Sequence, residues 1–173
     1  LWLDEAATAA AVPWRVRNLL TDGGFAVVMG AANCGKSFWA LDLALHVAAG
    51  QPWRGIRTRK GLVVYIAAEG GHGFRNRLAA AKQRYPWAKG VPFLTILDAV
   101  NLLNGDADAI VAAMNSAEGD AGEPAAVLVL DTLARVMAGG DENSGQDMGK
   151  LVAAVDAIRA QTGAAVIVVH HLG

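Results

Sequence analysis

Residues Gly30–Ser37 read Gly-Ala-Ala-Asn-Cys-Gly-Lys-Ser, a full match to the spacing G-x-x-x-x-G-K-[ST]. No other stretch narrows the possible folds as much. The motif functions only where a strand ends and a helix begins. The flanks supply both: Phe25–Met29 is an apolar strand run, and Ser37–Ala49 carries Phe38, Leu41, Leu45 and Ala48 at helical spacing before Gly50 closes it. In such a loop consecutive backbone N–H groups converge on phosphate oxygens, and the helix N-terminus adds the positive end of its dipole. Gly30 and Gly35 allow backbone angles and close approaches that a Cβ would block. Lys36 brings a point charge to the terminal phosphates, and Ser37 offers a hydroxyl to a divalent cation. Gly30, Ala31, Ala32, Asn33, Cys34, Gly35, Lys36, Ser37 and Phe38 are therefore the expected contacts to a nucleoside triphosphate, with ATP and Mg²⁺ as the expected cofactors. Cys34 reads as loop filler.

The rest of the chain alternates strands and helices. Leu62–Ala67 is a second strand, Gly73–Tyr85 a basic helix stopped by Pro86, and Pro92–Leu97 a weaker third strand. Asp106–Ser116 reads as a helix, Glu118–Pro124 as a Gly- and acid-rich turn, and Ala125–Leu130 as a fourth strand without polar alternation. Gly145–Thr162 is helical, Gly163 ends it, and Ala164–Val169 is the fifth strand. This alternation predicts an α/β fold: a five-stranded, mostly parallel sheet with right-handed crossovers and helices on both faces. Residues 1–24 are less regular and read as an N-terminal flap or the end of a preceding segment, with 25–173 as the core. The chain opens on Leu1 and stops directly after an apolar run, so it reads as a piece cut at its carboxyl end.

Composition sets outer bounds. With 173 residues, 54% hydrophobic and 18% charged, the chain is a single globular domain and not a disordered segment. A net charge of −1 excludes binding to nucleic acid by bulk charge alone. One cysteine excludes a disulfide framework and any multi-cysteine metal site. The apolar runs are too short for a membrane span, and no basic-then-apolar leader opens the chain, so a cytoplasmic location is expected.

Ligands of open α/β sheets bind at the carboxyl ends of the strands. Asp131 ends the fourth strand there and is the expected Mg²⁺ ligand beside Ser37. Hydrolysis needs a base to orient the attacking water. Thr132 follows Asp131, so the base does not sit next to it; Glu69, two residues past the second strand, is the best candidate. His170 and His171 follow the fifth strand. Neighbours on a strand point to opposite faces, so one of the pair is expected to sense the γ-phosphate. The expected catalytic set is Lys36, Glu69, Asp131, His170 and His171.

Together these residues resemble the RecA-like hexameric ATPases, and most of all the RepA-type plasmid replicative helicases and related AAA-family ATPases of phages and plasmids. The resemblance rests on the loop with its continuation Ser37–Ala44 and on Tyr65-Ile66-Ala67-Ala68-Glu69-Gly70 followed by Arg75 and Arg77. It rests also on Asp131-Thr132-Leu133-Ala134-Arg135 with Asp141–Ser144, and on Val168-Val169-His170-His171. It implies a P-loop NTPase sheet of order 5-1-4-3-2, Glu69 as catalytic base, Asp131 supporting magnesium and a histidine sensor. It further implies a homo-oligomeric ring, hexameric in this family, acting on single-stranded DNA, with an arginine finger from a neighbouring subunit beyond Gly173. The loop filling Ala31–Cys34 departs from the family's Pro/Gly/Ser-rich form, while its fixed positions are intact.

Other segments divide between surface and partner roles. Arg54–Lys60 is basic, a surface turn or an electrostatic contact to nucleic acid. Ala138–Asp147 is acidic, reads as a mobile segment and suits an interface better than phosphate binding. Trp53 is the tryptophan best placed by sequence for a nucleotide base. Three functions remain in competition: a helicase motor, a recombination or regulatory ATPase, and a nucleotide-gated assembly module. A small-molecule kinase is disfavoured by Glu69, the paired histidines and the lack of an arginine-rich lid.

Overall fold

The computed structural model describes residues 11–68 and 71–172. A short antiparallel hairpin, β1 (Trp14–Val16) and β2 (Leu20–Thr21), comes first. Then follow β3 (Phe25–Ala31), α1 (Lys36–Ala49), β4 (Leu62–Ala67), α2 (Gly71–Arg84) and β5 (Phe93–Ile96). The chain continues through α3 (Ala107–Ala121), β6 (Ala125–Asp131), the one-turn α4 (Leu133–Val136), α5 (Gly145–Thr162) and β7 (Ala165–Leu172).

The main sheet is parallel throughout, in the order β3-β7-β6-β4-β5. Counted over the five core strands this is 1-5-4-2-3, which corrects the expected 5-1-4-3-2. The reason lies in how many faces each strand can bury. Both faces of β4 and β6 are buried along their whole length, as is β7 from Ala165 to Val169, and these three occupy the centre. β3 alternates, with Phe25, Val27 and Met29 exposed at 40%, 44% and 58%, and it forms an edge. The four-residue, half-buried β5 forms the other.

Two apolar layers hold the sheet. On one face Leu41 and Leu45 of α1 and Phe74 of α2 pack on Tyr65, Val129 and Ile167. On the other, Met114 of α3 and Leu151, Val155 and Ile158 of α5 pack on Ile66, Leu128 and Val168. α3 runs five residues past the expected Ser116, because Ala117 is buried and Gly122, at φ 62°, supplies the left-handed stop. The acidic turn is correspondingly short, and Glu118 caps the next strand by accepting the Ala125 N–H at 2.6 Å.

Residues 11–24 pack onto the α1 face. Val16 and Leu20 are buried there, and the buried Arg15 guanidinium donates to the Lys60 carbonyl at 2.8 Å and meets Asp22 at 2.7 Å. Burial lowers the Arg15 pKa from its ordinary value, with Asp22 opposing the shift. Gly61 lies under this clasp. A Cβ there would sit 2.5 Å from Ala126 Cβ and 3.1 Å from the Arg15 guanidinium. Ala126 belongs to a buried strand and has no rotamer to move. Gly61→Ala is therefore expected to destabilise the fold by about 1–3 kcal/mol, read as a lower midpoint in urea.

Candidate nucleotide-phosphate site

β3 delivers the chain to the loop at Gly30, and α1 takes it away from Lys36. A Cβ on Gly30 would lie 3.1 Å from Cys34 Sγ, a tight contact that the exposed Cys34 side chain would have to turn away to relieve. Asn33 and Gly35 have φ of 60° and 93°, the left-handed values that turn successive N–H groups inward, and Gly35 opens the helix. The Lys36 ammonium lies folded over the loop and donates to the carbonyls of Gly30 at 2.8 Å and Ala31 at 2.7 Å. Its Nζ is 3.8 Å from Cys34 Sγ.

Asp131 is 3% exposed and closes the floor. Its Oδ1 accepts from Ser37 Oγ at 3.1 Å and its Oδ2 from the Tyr65 hydroxyl at 2.7 Å. Sequence reasoning missed Tyr65. The available signal was a phenol inside an otherwise aliphatic strand, since a buried Tyr hydroxyl needs a partner. The peptide bond after Asp131 is cis.

Strand register brings the other residues to the same edge. Gly30 is level with His171, and Asp131 with Ala67 and Val169. The Ala68 N–H donates to the Asp131 carbonyl at 2.8 Å, which ties the end of β4 to the acid. Glu69 itself lies outside the described residues. The histidines separate by face. Val169 packs on the α1 side with Val129, and Val168 on the α5 side. Alternation therefore puts His171 on the face of α1 and Asp131. His170 turns to the other face, where its Nδ1 is 3.7 Å from Glu142.

Beside the loop a cavity of about 510 Å³ opens between α1 and α2, lined by Phe38, Trp39, Asp42, Arg77 and Tyr85 among others. Phe38 is 60% exposed, and the Arg77 guanidinium stands 5.1 Å from its ring centroid. Trp53 is not open to a base. It is buried, packs edge-on against Trp39 at 5.3 Å and donates its indole N–H to Asp42 at 2.9 Å. Asp42 also accepts from Tyr85 at 2.6 Å. The acidic segment is held by side-chain bonds: Asn101 donates to the Ala138 carbonyl, and Asp141 and Ser144 accept from the N–H groups of Asn143 and Asp147. Arg135 is exposed on α4.

Among the described residues no cluster of three or more His, Cys, Asp and Glu forms a metal cage. The Ser37 hydroxyl and Asp131 carboxylate fit Mg²⁺ in another way. They are hard oxygen donors 3.1 Å apart beside a phosphate loop, and Mg²⁺ takes few protein ligands and completes its shell with water and phosphate. Bound there, it would neutralise charge on the phosphates.

The family model described as AAA domain, AAA_25, matches residues 1–173. The chain belongs to this AAA domain family. A search of curated proteins found no match. Among solved structures the AAA domain is similar to the KaiC-like protein PH0186 from the hyperthermophilic archaeon Pyrococcus horikoshii OT3, with TM-score 0.54 and 13% identity. The alignment covers 91% of this chain and 65% of that one, so the AAA domain spans just under two thirds of that protein's length. That likeness shows the fold, a RecA-like α/β core, and the loop geometry marks it as a P-loop domain of the AAA family. No helix among the described residues is long and apolar enough to cross a membrane.

Proposed function

We propose that this AAA domain is the ATP-hydrolysing motor core of a replicative helicase of RepA type, working as a hexameric ring on single-stranded DNA. The observation that carries the ATPase part is the convergence of Lys36, Ser37 and Asp131, from two strand ends, on one phosphate-sized loop. ATP enters with its phosphates over the loop, and Lys36 exchanges the carbonyls of Gly30 and Ala31 for phosphate oxygens. The base lies in the Phe38–Arg77 cavity, where the Arg77 guanidinium already stands over the Phe38 ring. Glu69, carried just past the point where Ala68 is tied to Asp131, orients the attacking water. His171, on the Asp131 face, reports the state of the γ-phosphate to β7.

The test is steady-state hydrolysis with and without single-stranded DNA, repeated on Glu69→Gln. Single-stranded DNA is expected to raise turnover. The variant is expected to lose about 10²–10⁴-fold in kcat, the usual worth of a positioned base, while still binding ATP. Unchanged hydrolysis in the variant would remove Glu69 from the mechanism. Turnover indifferent to DNA would favour the nucleotide-gated assembly module.

A further inference from the structure

The surface between the N-terminal hairpin and residues 57–59 shares no lining residue with the cavity beside the phosphate loop. β1 is extended by a third segment: the Arg17 N–H donates to the Arg57 carbonyl at 3.0 Å, and the Arg59 N–H to the Arg15 carbonyl at 2.9 Å. Two arginine-bearing segments thus lie side by side at the amino ends of the strands, away from the phosphate loop. A groove of about 490 Å³ runs along them, lined by Trp14, Arg17, Asn18, Arg57 and Arg59 among others. A second, of about 470 Å³, shares Arg17, Asn18 and Arg57 and leads toward the Trp53–Ile56 turn. Asp22 is the carboxylate of this region, and Arg15 and Arg59 occupy it. Among the described residues Arg17 and Arg57, which line both grooves, pair with no acid. A chain of net charge −1 has therefore gathered uncompensated guanidinium groups on one face.

Gly55 and Ile56 of the adjoining turn close the end of the second groove. Trp53 and Ile56 exchange both backbone hydrogen bonds, at 2.9 and 2.8 Å, around a two-residue turn with φ of 49° at Arg54 and 80° at Gly55. Turns with two positive φ values favour Asn-Gly or Asp-Gly. Arginine in the first place works against local folding, and its guanidinium lies over the Trp53 ring at 4.8 Å and lines the cavity between α1 and α2, not the grooves.

From this placement we infer that the Trp14–Arg17–Arg57 groove is a binding track for single-stranded nucleic acid. Guanidinium forks match phosphate oxygens, and the half-buried Trp14 gives a base a face to stack on. An acidic peptide would satisfy the arginines and leave the aromatic face unused. The inference shares with the motor reading only the class of partner.

The test is fluorescence anisotropy of labelled oligothymidylate with the whole chain, without nucleotide, over a salt series. Arg17→Gln/Arg57→Gln is expected to weaken binding at least tenfold. It should also lower the slope of log K against log salt by about 1.4, near 0.7 for each phosphate contact on a single strand. Arg17→Lys/Arg57→Lys should keep the slope, and ATP turnover without DNA should be unchanged in both. Wild-type affinity and slope in the glutamine variant would overturn the track; DNA-stimulated turnover persisting there would leave the motor reading in place. Failure of the wild type to bind the oligonucleotide while hydrolysing ATP would also overturn it. So would competition by polyglutamate at the same charge concentration as oligothymidylate, which would make the groove an acidic-peptide site.

Discussion

Lys36→Ala is expected to lower kcat/KM for ATP by about a hundredfold to a thousandfold, the loss seen when one preorganised charge or donor is removed from a reacting oxygen. The ammonium is the cation enclosed by the loop, 2.7–2.8 Å from two of its carbonyls. Those bonds hold the side chain over the place where phosphate must sit, so it changes partners without a search through rotamers. The fold should survive. Gly30 and Ala31 are not buried, so water replaces the ammonium at their carbonyls. The stability change should then stay within about 0.5–1 kcal/mol. Lys36→Arg is expected to fail nearly as completely, because a planar fork does not fit a space shaped for a compact ammonium. Equilibrium binding of a fluorescent ATP analogue, thermal melting and steady-state turnover together separate these effects. Turnover at the wild-type rate in Lys36→Ala would mean that the loop is not where ATP reacts.

The parts of this site that were legible in the sequence are the ones whose chemistry is local. The phosphate loop is contiguous, and its glycines, lysine and serine serve it whatever surrounds them. Asp131 was legible because an acid at the end of AAVLVL stands out at a strand's carboxyl end. What depends on neighbours was not. Four crossovers of one hand permit several strand orders, and apolar runs name elements without naming partners. The clue that β3 is an edge, one exposed and one half-buried face, is visible only as a Phe and a Met among small residues. The resemblance pointed instead to β3 between two neighbours. Tyr65 and Trp53 show the same limit from opposite sides. Each is an aromatic residue with one polar atom, and the location of a carboxylate distant in sequence decided what each does: Asp131 made Tyr65 part of the site, and Asp42 drew Trp53 into the core. The histidine pair was legible as a pair. Which one shares a face with Asp131 follows from the phase of β7, set by its packing between β3 and β6.

Asp131→Asn should separate the charge of this residue from its shape. The carboxylate is nearly fully buried and accepts from two hydroxyls, one on each oxygen. Asparagine has the same outline. Its carbonyl oxygen keeps one hydroxyl donor, and its NH₂ faces the other hydroxyl, which can turn its proton away and accept. Packing is preserved, and removal of a buried charge offsets the weaker hydrogen bonds, so the net stability change should be no more than about 1.5 kcal/mol either way. What is lost is the negative charge beside Ser37. If that charge supports Mg²⁺, ATP affinity should stop rising with Mg²⁺ concentration, and kcat should fall by about 10²–10³-fold, while Mg²⁺-free nucleotide binding stays near the wild-type value. Tyr65→Phe gives the converse control. It keeps the charge and removes one donor, so it should destabilise the fold by about 1–3 kcal/mol yet retain the Mg²⁺ dependence. Titration of ATP binding against Mg²⁺ in both variants decides the matter. An Asp131→Asn protein whose affinity rises with Mg²⁺ as steeply as the wild type's would show that the carboxylate serves only to hold Ser37 and Tyr65 in place.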